Sequence, residues 1–384
     1  MTMIASEKPK HKLKDLSLYI HVPFCKKRCN YCDFLTFCGS DELYEPYVQA
    51  LCFDIIKHAY KFKGHEVKTV FLGGGTPTCL SIQNMGQIID AIVKNYNLSK
   101  GITITTEANP ETVDIEYLKS LKHIGFNRMS FGVQSFDDNH LSLINRLHSS
   151  QKAIDTVNFA YLAGFKDINI DLIFSLPHQS LADFEKNIDI ALSLPITHIS
   201  TYSLTVEENT PLSKSPHLLS AIAGDELDRQ MYYAAKYKLA NAGFLHYEIS
   251  NFAKPSYLCH HNLAYWQRRE YMGYGIGAAS FVDNCRFKRT DNILSYIRGN
   301  FEQQSIENIS KSEAMAEYVI LGLRLIDGIN IEDFKRKFDK DIFEVFGLQF
   351  SSEANKQFLD INLPNIRLTT LGLDLSNLFF SQFI

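Results

Sequence analysis

No stretch of eighteen or more apolar residues occurs in this 384-residue sequence, so it offers no candidate for a membrane-spanning helix. Charge of neither sign dominates. The 39 basic and 43 acidic residues give a formal net charge of −4, which argues against a broad cationic footprint and predicts no nucleic-acid partner. The opening MTMIASEKPKHKLKD has no apolar core of a secretory signal and reads as a polar lead-in. Low-complexity tracts and long linkers are absent, and tryptophan occurs once, at Trp266. What is present is an ordinary globular composition, 45% hydrophobic and 21% charged, long enough for one large unit and a smaller one. The expected location is the cytoplasm, where structural disulfides are rare. Eight cysteines in such a chain call for a metal or redox explanation, and four of them, Cys25, Cys29, Cys32 and Cys38, fall within fourteen residues.

A strand–helix rhythm runs to about residue 205. The strand candidates are LSLYIHV ending at Val22, VKTVFLG (67–73), ITITTEA (102–108), RMSFGVQ (128–134), INIDLIF (168–174) and HISTYSL (198–204). Each is short, rich in β-branched or aromatic residues, and bounded by turn-forming or polar residues. Helical spacing lies between them, for example at Ile82, Met85, Ile88, Ile89 and Ile92. Three helices are predicted to close on glycine, at Gly125, Gly164 and Gly243, each followed by a phenylalanine that opens the next buried segment. Six such units predict an α/β fold with a parallel sheet and right-handed crossovers. Periodicity leaves a partial (β/α)6 barrel and an open doubly wound sheet both standing. From 207 the pattern loosens into a long helix (225–242), the cluster CHHNLAYW and the glycine-rich MGYGIGAAS. From 291 short amphipathic helices lead to IRLTTLGLDLSNLFF, read as a final hairpin.

Cys25-Lys-Lys-Arg-Cys29-Asn-Tyr-Cys32 gathers three thiols in one loop directly after the first strand. Thiolates are the ligands of iron–sulfur clusters. Structural zinc is the rival, but it needs four ligands, commonly as two separated pairs, and no fourth is evident. Three cysteines suit a cluster with one iron left open, and Lys26, Lys27 and Arg28 are expected to favour the deprotonated thiols. Isolated cysteines such as Cys52 and Cys79 read as small core residues.

Polar residues recur where the strands end, which in a (β/α) barrel is where chemistry gathers. Gly73-Gly74-Gly75-Thr76-Pro77-Thr78 follows the second strand, and its bare backbone could approach a ligand closely or simply form a tight turn. It lacks the spacing of a nucleotide phosphate loop. Glu107 ends the third strand, Gln134 the fourth, Arg146 lies in the loop beyond, and Asp171 sits in the fifth. A carboxyl or amide facing a barrel interior needs a partner. A structural hydrogen bond or a charged cofactor could serve at each position; together, on successive strands, they favour a site.

The cysteine loop, preceded by Tyr19-Ile-His-Val-Pro-Phe and followed by Asp33-Phe34, resembles the radical S-adenosyl-L-methionine (AdoMet) superfamily. More narrowly it looks like the branch holding the oxygen-independent coproporphyrinogen III oxidases and the HemW heme chaperones. The resemblance covers most of the chain, from Tyr19 to Ser280 and into the C-terminal domain. It implies a 4Fe-4S cluster on Cys25, Cys29 and Cys32, with AdoMet chelating the open iron. It also implies AdoMet contacts from Tyr19, Tyr31, Gly74, Gly75, Thr76, Glu107, Gln134, Arg146 and Asp171. Two departures point away from the oxidase: Phe34 stands where it resembles a fourth cysteine, and only 24 residues precede Cys25, so its long N-terminal extension is expected to be missing.

His261-Asn262-Leu263-Ala264-Tyr265-Trp266 resembles the HNxxYW motif of HemW and implies heme at His261, with Cys259 and His260 as alternative ligands. A hydrogen-bonded core histidine is the plain alternative for His261. The chain is then expected to divide into a lead-in (1–16), the barrel (17–206), a flanking segment with the heme motif (207–290) and a mainly helical, winged-helix-like C-terminal domain (291–384). The implied partners are heme and a heme-acceptor protein, with transient membrane association and a homodimer compatible with the reading. Heme chaperone is the leading function. A radical decarboxylase of coproporphyrinogen III and a radical heme-modifying enzyme are the alternatives, so whether the protein is an enzyme stays open at this point.

Overall fold

A computed structural model describes residues 13–383. Six parallel strands follow one another in sequence order: β1 (Lys14–Val22), β2 (His65–Gly74), β3 (Leu98–Ala108), β4 (Arg128–Gln134), β5 (Asp167–Phe174) and β6 (His198–Ser203). The connections hold α1 (Tyr44–Ala59), α2 (Ile82–Asn95), α3 (Ile115–His123), the short α4 (Asp138–Leu143) with α5 (Ser150–Leu162), and α6 (Leu181–Leu192). Five of the six helices start at a side-chain cap, from Ser81, Asp114, Asp137, Ser149 and Ser180, and at Ser180 the cap is reciprocated by Asp183. The predicted closing glycines Gly125, Gly164 and Gly243 all have positive φ.

Alternation along the strands divides core from lumen. Leu18 and Ile20, Val70 and Leu72, Met129 and Phe131, and Ile170 and Leu172 are fully buried in the main apolar core. The intervening Tyr19, Phe71, Glu107, Ser130, Asn169, Asp171 and Ser200 line the lumen. The strands therefore form the partial barrel of the α/β reading.

Six further strands extend the sheet at both edges, giving twelve in all. Beside β6 lies Asn251–Ala253 and beyond it Leu245–Glu248, each antiparallel to the strand it joins. Beside β1 lies Tyr271–Tyr274, which is parallel and holds the first half of the glycine-rich stretch. The hairpin strands Ala279–Val282 and Cys285–Arg289 and the strand Gln303–Asn308 follow. Close approach explains two of these glycines. A Cβ on Gly275 would lie 2.5 Å from the His21 carbonyl oxygen, and one on Gly273 would lie 2.2 Å from the Ala279 oxygen.

Residues 1–12 of the expected lead-in lie outside the described residues. The strand itself begins at Lys14, ahead of the expected boundary at 17. A second core, rich in Phe334, Phe346, Phe350 and Phe379, unites the helices Lys311–Gly322, Ile331–Phe338 and Ile342–Ser351 with a three-stranded sheet. The ending differs from the expected hairpin. Its strands are Leu359–Asn362 and Asn365–Leu368, and Thr369 then caps a helix at Thr370–Asp374 that turns LGLDLSNLFF into two short helices.

Candidate functional site

The cysteine loop leaves β1 and is held from two sides. The β4–β5 connection ties it down: Asn30 N–H donates to Ile144 O (3.2 Å), Asn30 Nδ2 to Leu143 O (2.9 Å) and Asn145 Nδ2 to Arg28 O (3.0 Å). Beneath it the glycine turn presses close. A Cβ on Gly75 would lie 2.7 Å from the Phe24 oxygen, and one on Gly74, at φ +109°, would lie 2.4 Å from the His21 ring. The triplet is thus required by chain packing as well as by any ligand.

Cys25, Cys29 and Cys32 are free and partly exposed, and they line a cavity of about 130 Å³ at the C-terminal end of the barrel. The same cavity gathers Tyr31, Gly74, Gly75, Thr76, Glu107, Gln134, Arg146 and Asp171. Tyr19 does not line it. Its ring borders a deeper cavity of about 170 Å³ in the lumen, which shares Glu107 and Asp171. Among the described residues no three His, Cys, Asp or Glu side chains converge as the ligands of one metal ion do.

Hydrogen bonds knit the cavity wall together. Thr76 Oγ1 lies 3.5 Å from Cys25 Sγ and accepts from Asn109 Nδ2 at 3.0 Å. Arg146 donates to Asn109 Oδ1 (2.7 Å), to Cys29 Sγ (3.4 Å) and to the Gly132 carbonyl. Asn109 therefore joins the glycine turn to the arginine, a role the sequence reading missed. Its one signal was the following proline, which favours an extended backbone at the strand end. Gln134 has φ +67° at a register shift of β4, and its Oε1 is buried without a partner. A bulge at a strand end re-aims a side chain in this way.

Burial sets the electrostatics. It pushes the Cys25 thiol up to about 12, despite the Thr76 hydrogen bond, and raises Cys32 as well. The expected assistance from the basic residues is present but outweighed by burial: the Arg28 charge lowers Cys32. Arg28 donates to the Cys32 carbonyl (3.0 and 3.2 Å) and Lys26 to the Glu111 carbonyl (3.1 Å). Glu107 is pushed up to about 8 by burial and by the nearby Asp171, although the Gly74 N–H donates to it at 3.0 Å. Burial raises Asp171 too. Two desolvated carboxyls thus share the site with Arg146, whose Nε is buried and unpartnered. Such a site favours a further cation beside the carboxyls and leaves one guanidinium N–H for an anion.

The histidine motif sits elsewhere. Helix His260–Trp266 closes the N-terminal end of the barrel, with His261 facing the lumen and only 3% exposed. Both ring nitrogens are engaged, Nδ1 with Thr69 Oγ1 (2.8 Å) and Nε2 with the Tyr265 hydroxyl (2.9 Å). The ring stacks on Phe71 at 5.1 Å, and burial pulls its pKa down to about 3, so it is neutral. Cys259 is buried beside it, and His260 is exposed.

Family models match the chain in two places, the radical SAM superfamily over residues 19–191 and the HemN C-terminal domain over 309–375. The heme chaperone HemW of Bacillus subtilis is 34% identical over 96% of this chain and 99% of its own length. That of Lactococcus lactis is 32% identical over 97% and 98%. The chain belongs to the HemW family. HemW of Escherichia coli is 35% identical over 82% of this chain. The solved structure of coproporphyrinogen III oxidase (HemN) from E. coli superposes with a TM-score of 0.85 over 98% of this chain, at 22% identity, so it shares the fold. In this HemW chain Phe34, two residues after Cys32, is 62% exposed and borders the cysteine cavity.

The donor set of the cavity fits the groups that the superfamily implies. Three thiols that do not converge on one ion suit a cube that seats each on a different iron. AdoMet carries an ammonium and a sulfonium for the two carboxyls, and a carboxylate for the Arg146 Nε. A heme iron on His261 does not fit. The ring has no free lone pair as placed, and the 170 Å³ cavity it borders is far smaller than a porphyrin. The motif's spacing does not by itself tell an inward histidine from an outward one. No helix among the described residues is long and apolar enough to cross a membrane.

Proposed function

We propose that this chain is a heme chaperone of the HemW type. In this reading it holds a 4Fe-4S cluster on Cys25, Cys29 and Cys32, binds AdoMet in the adjoining cavity, and carries heme to an acceptor protein. The observation that supports it most is the pairing of near-full-length similarity to HemW chains with a cavity whose donors match the cluster and AdoMet.

The bound cluster supplies an iron site open to a chelating amino acid, and an electron. The protein's own part is positioning. Arg146, braced by Asn109 and the Gly132 carbonyl, directs its free Nε at a carboxylate. Glu107 and Asp171 receive positive charge, and Glu107 gives up its proton as it does so. Gln134 offers its unpartnered Oε1 to a donor of the ligand, and Gly74, Gly75 and Thr76 form the opposite wall. Tyr31 borders the same cavity, and Tyr19 supports the site from the lumen below. Heme is assigned no ligand at His261.

Within this reading the protein works in the cytoplasm, contacts a membrane only transiently and forms a homodimer. The deciding experiment is oxygen-free purification, assay of iron and sulfide, and heme titration with and without AdoMet, followed by transfer to an apo-acceptor. Stoichiometric heme binding with transfer, and no protoporphyrinogen from coproporphyrinogen III, is expected. Robust decarboxylase turnover would replace the chaperone by the oxidase.

A further inference from the structure

The motif helix His260–Trp266 has two sides. His261 and Tyr265 face the lumen, while Leu263 and Trp266 face outward into a groove of about 750 Å³ against the C-terminal helices. Tyr318, Leu325 and Ile329 form the facing wall. A cavity of this size, with an apolar wall and a charged rim, accommodates a large planar ligand with polar substituents. Trp266 is partly buried, with the Arg324 guanidinium over its ring at 5.2 Å and its Nε1 buried without a partner.

One end of the groove is cationic. Arg269 and Lys337 line it, and among the described residues the one carboxylate within 4 Å of the Arg269 guanidinium is Asp15, at 3.9 Å. Lys337 pairs with no carboxylate among the described residues; its Nζ reaches the Arg268 carbonyl at 3.5 Å and lies over the Tyr318 ring at 5.5 Å. Burial and the neighbouring Arg268 and Arg269 lower its pKa, and the opposing charge of Glu270 does not make up the difference. Of the acids at the groove, Asp333 is engaged by Arg336, and Asp327 carries the remaining negative charge.

We propose that the heme of this chaperone lies in this groove, its apolar ring against Trp266 and Leu263 and its two carboxylates on Arg269 and Lys337. The proposal rests on the heme-binding reading above and relocates its seat from the His261 imidazole. No histidine, cysteine or methionine lines the groove among the described residues. Its two tyrosines, Tyr247 and Tyr318, are held as neutral phenols by burial, so recognition acts through the macrocycle and its carboxylates and the iron is not required for it.

The test is titration of the full-length, cluster-loaded protein with heme and with metal-free protoporphyrin IX. Emission of Trp266, the single tryptophan, and visible absorbance are followed together. Both ligands are expected to quench the emission, with dissociation constants within about threefold. The double variant Arg269→Glu, Lys337→Glu is expected to weaken both by about tenfold or more, the loss of charge-assisted hydrogen bonds, with iron and sulfide content unchanged. Heme binding that persists in the double variant, excludes protoporphyrin IX and is abolished by His261→Ala would overturn the groove while leaving the chaperone reading intact. Failure of the wild-type protein to bind heme at all would remove both.

Discussion

Glu107 is the residue whose chemistry is most exposed to experiment. Its carboxyl is protonated below about pH 8 in the free protein, because burial and Asp171 disfavour the charge. A cationic ligand favours the carboxylate, so binding below that pH must expel a proton, and affinity rises with pH until it levels above about 8. Calorimetry of AdoMet binding in buffers of different ionisation enthalpy should show proton release at pH 7. In Glu107→Gln the release should vanish and the affinity fall. An unchanged pH profile in the variant would assign the proton elsewhere. Gly74 makes a purely steric prediction. Alanine there meets the His21 ring at 2.4 Å and strains a backbone at φ +109°, so Gly74→Ala should cost about 2–4 kcal/mol, read as a fall in the unfolding midpoint. Much of the site was legible at this scale, because a carboxylate, an amide or an arginine at successive strand ends is conspicuous against apolar strands. Gln134, Arg146 and Asp171 line one cavity for that reason. Asn109 was not legible, since its work is to join two other polar groups, and no one-dimensional pattern records that.

At the scale of elements, all six barrel strands were readable from their β-branched runs and closing glycines. Their extensions were not. β3 starts at Leu98, and its first residues, exposed or half-buried, carry no apolar signal. The final helices were mistaken for a strand because alternating leucines in LGLDL mimic a two-residue period, while the Thr369 cap decides the outcome. The motif helix shows the same limit. Its histidine, tyrosine and tryptophan looked like one surface, yet a helix of seven residues points them to opposite sides. His261→Ala therefore tests structure. Losing the Thr69 and Tyr265 partners and the stack on Phe71 should destabilise the barrel by about 2–4 kcal/mol, read by chemical denaturation, while heme stoichiometry holds.

At the scale of the molecule, the partial barrel is not closed on itself. A parallel strand covers the β1 edge and an antiparallel one the β6 edge, and the C-terminal unit is fastened to the flanking segment by ion pairs. Glu317 engages Arg268 at 2.7 Å and Arg286 at 2.6 Å, and Asp374 reaches Arg229 at 3.3 Å. The groove exists only because those two units meet, so it was invisible to a reading that took the segments one at a time.

The helix that ends in Trp266 is a party wall. On its inner side the His261 ring lies 6.5 Å from Tyr19, whose cavity shares both acids with the cysteine site; on its outer side is the groove. A ligand that moves Glu107 or Asp171 from the cysteine cavity, and a ligand in the groove that moves the helix, both act on the lumen cavity between them. Thermodynamics then demands symmetry: whatever factor AdoMet applies to heme affinity, heme must apply to AdoMet affinity. Measuring both factors on the same preparation, and finding them different from one, would show that the two sites are coupled.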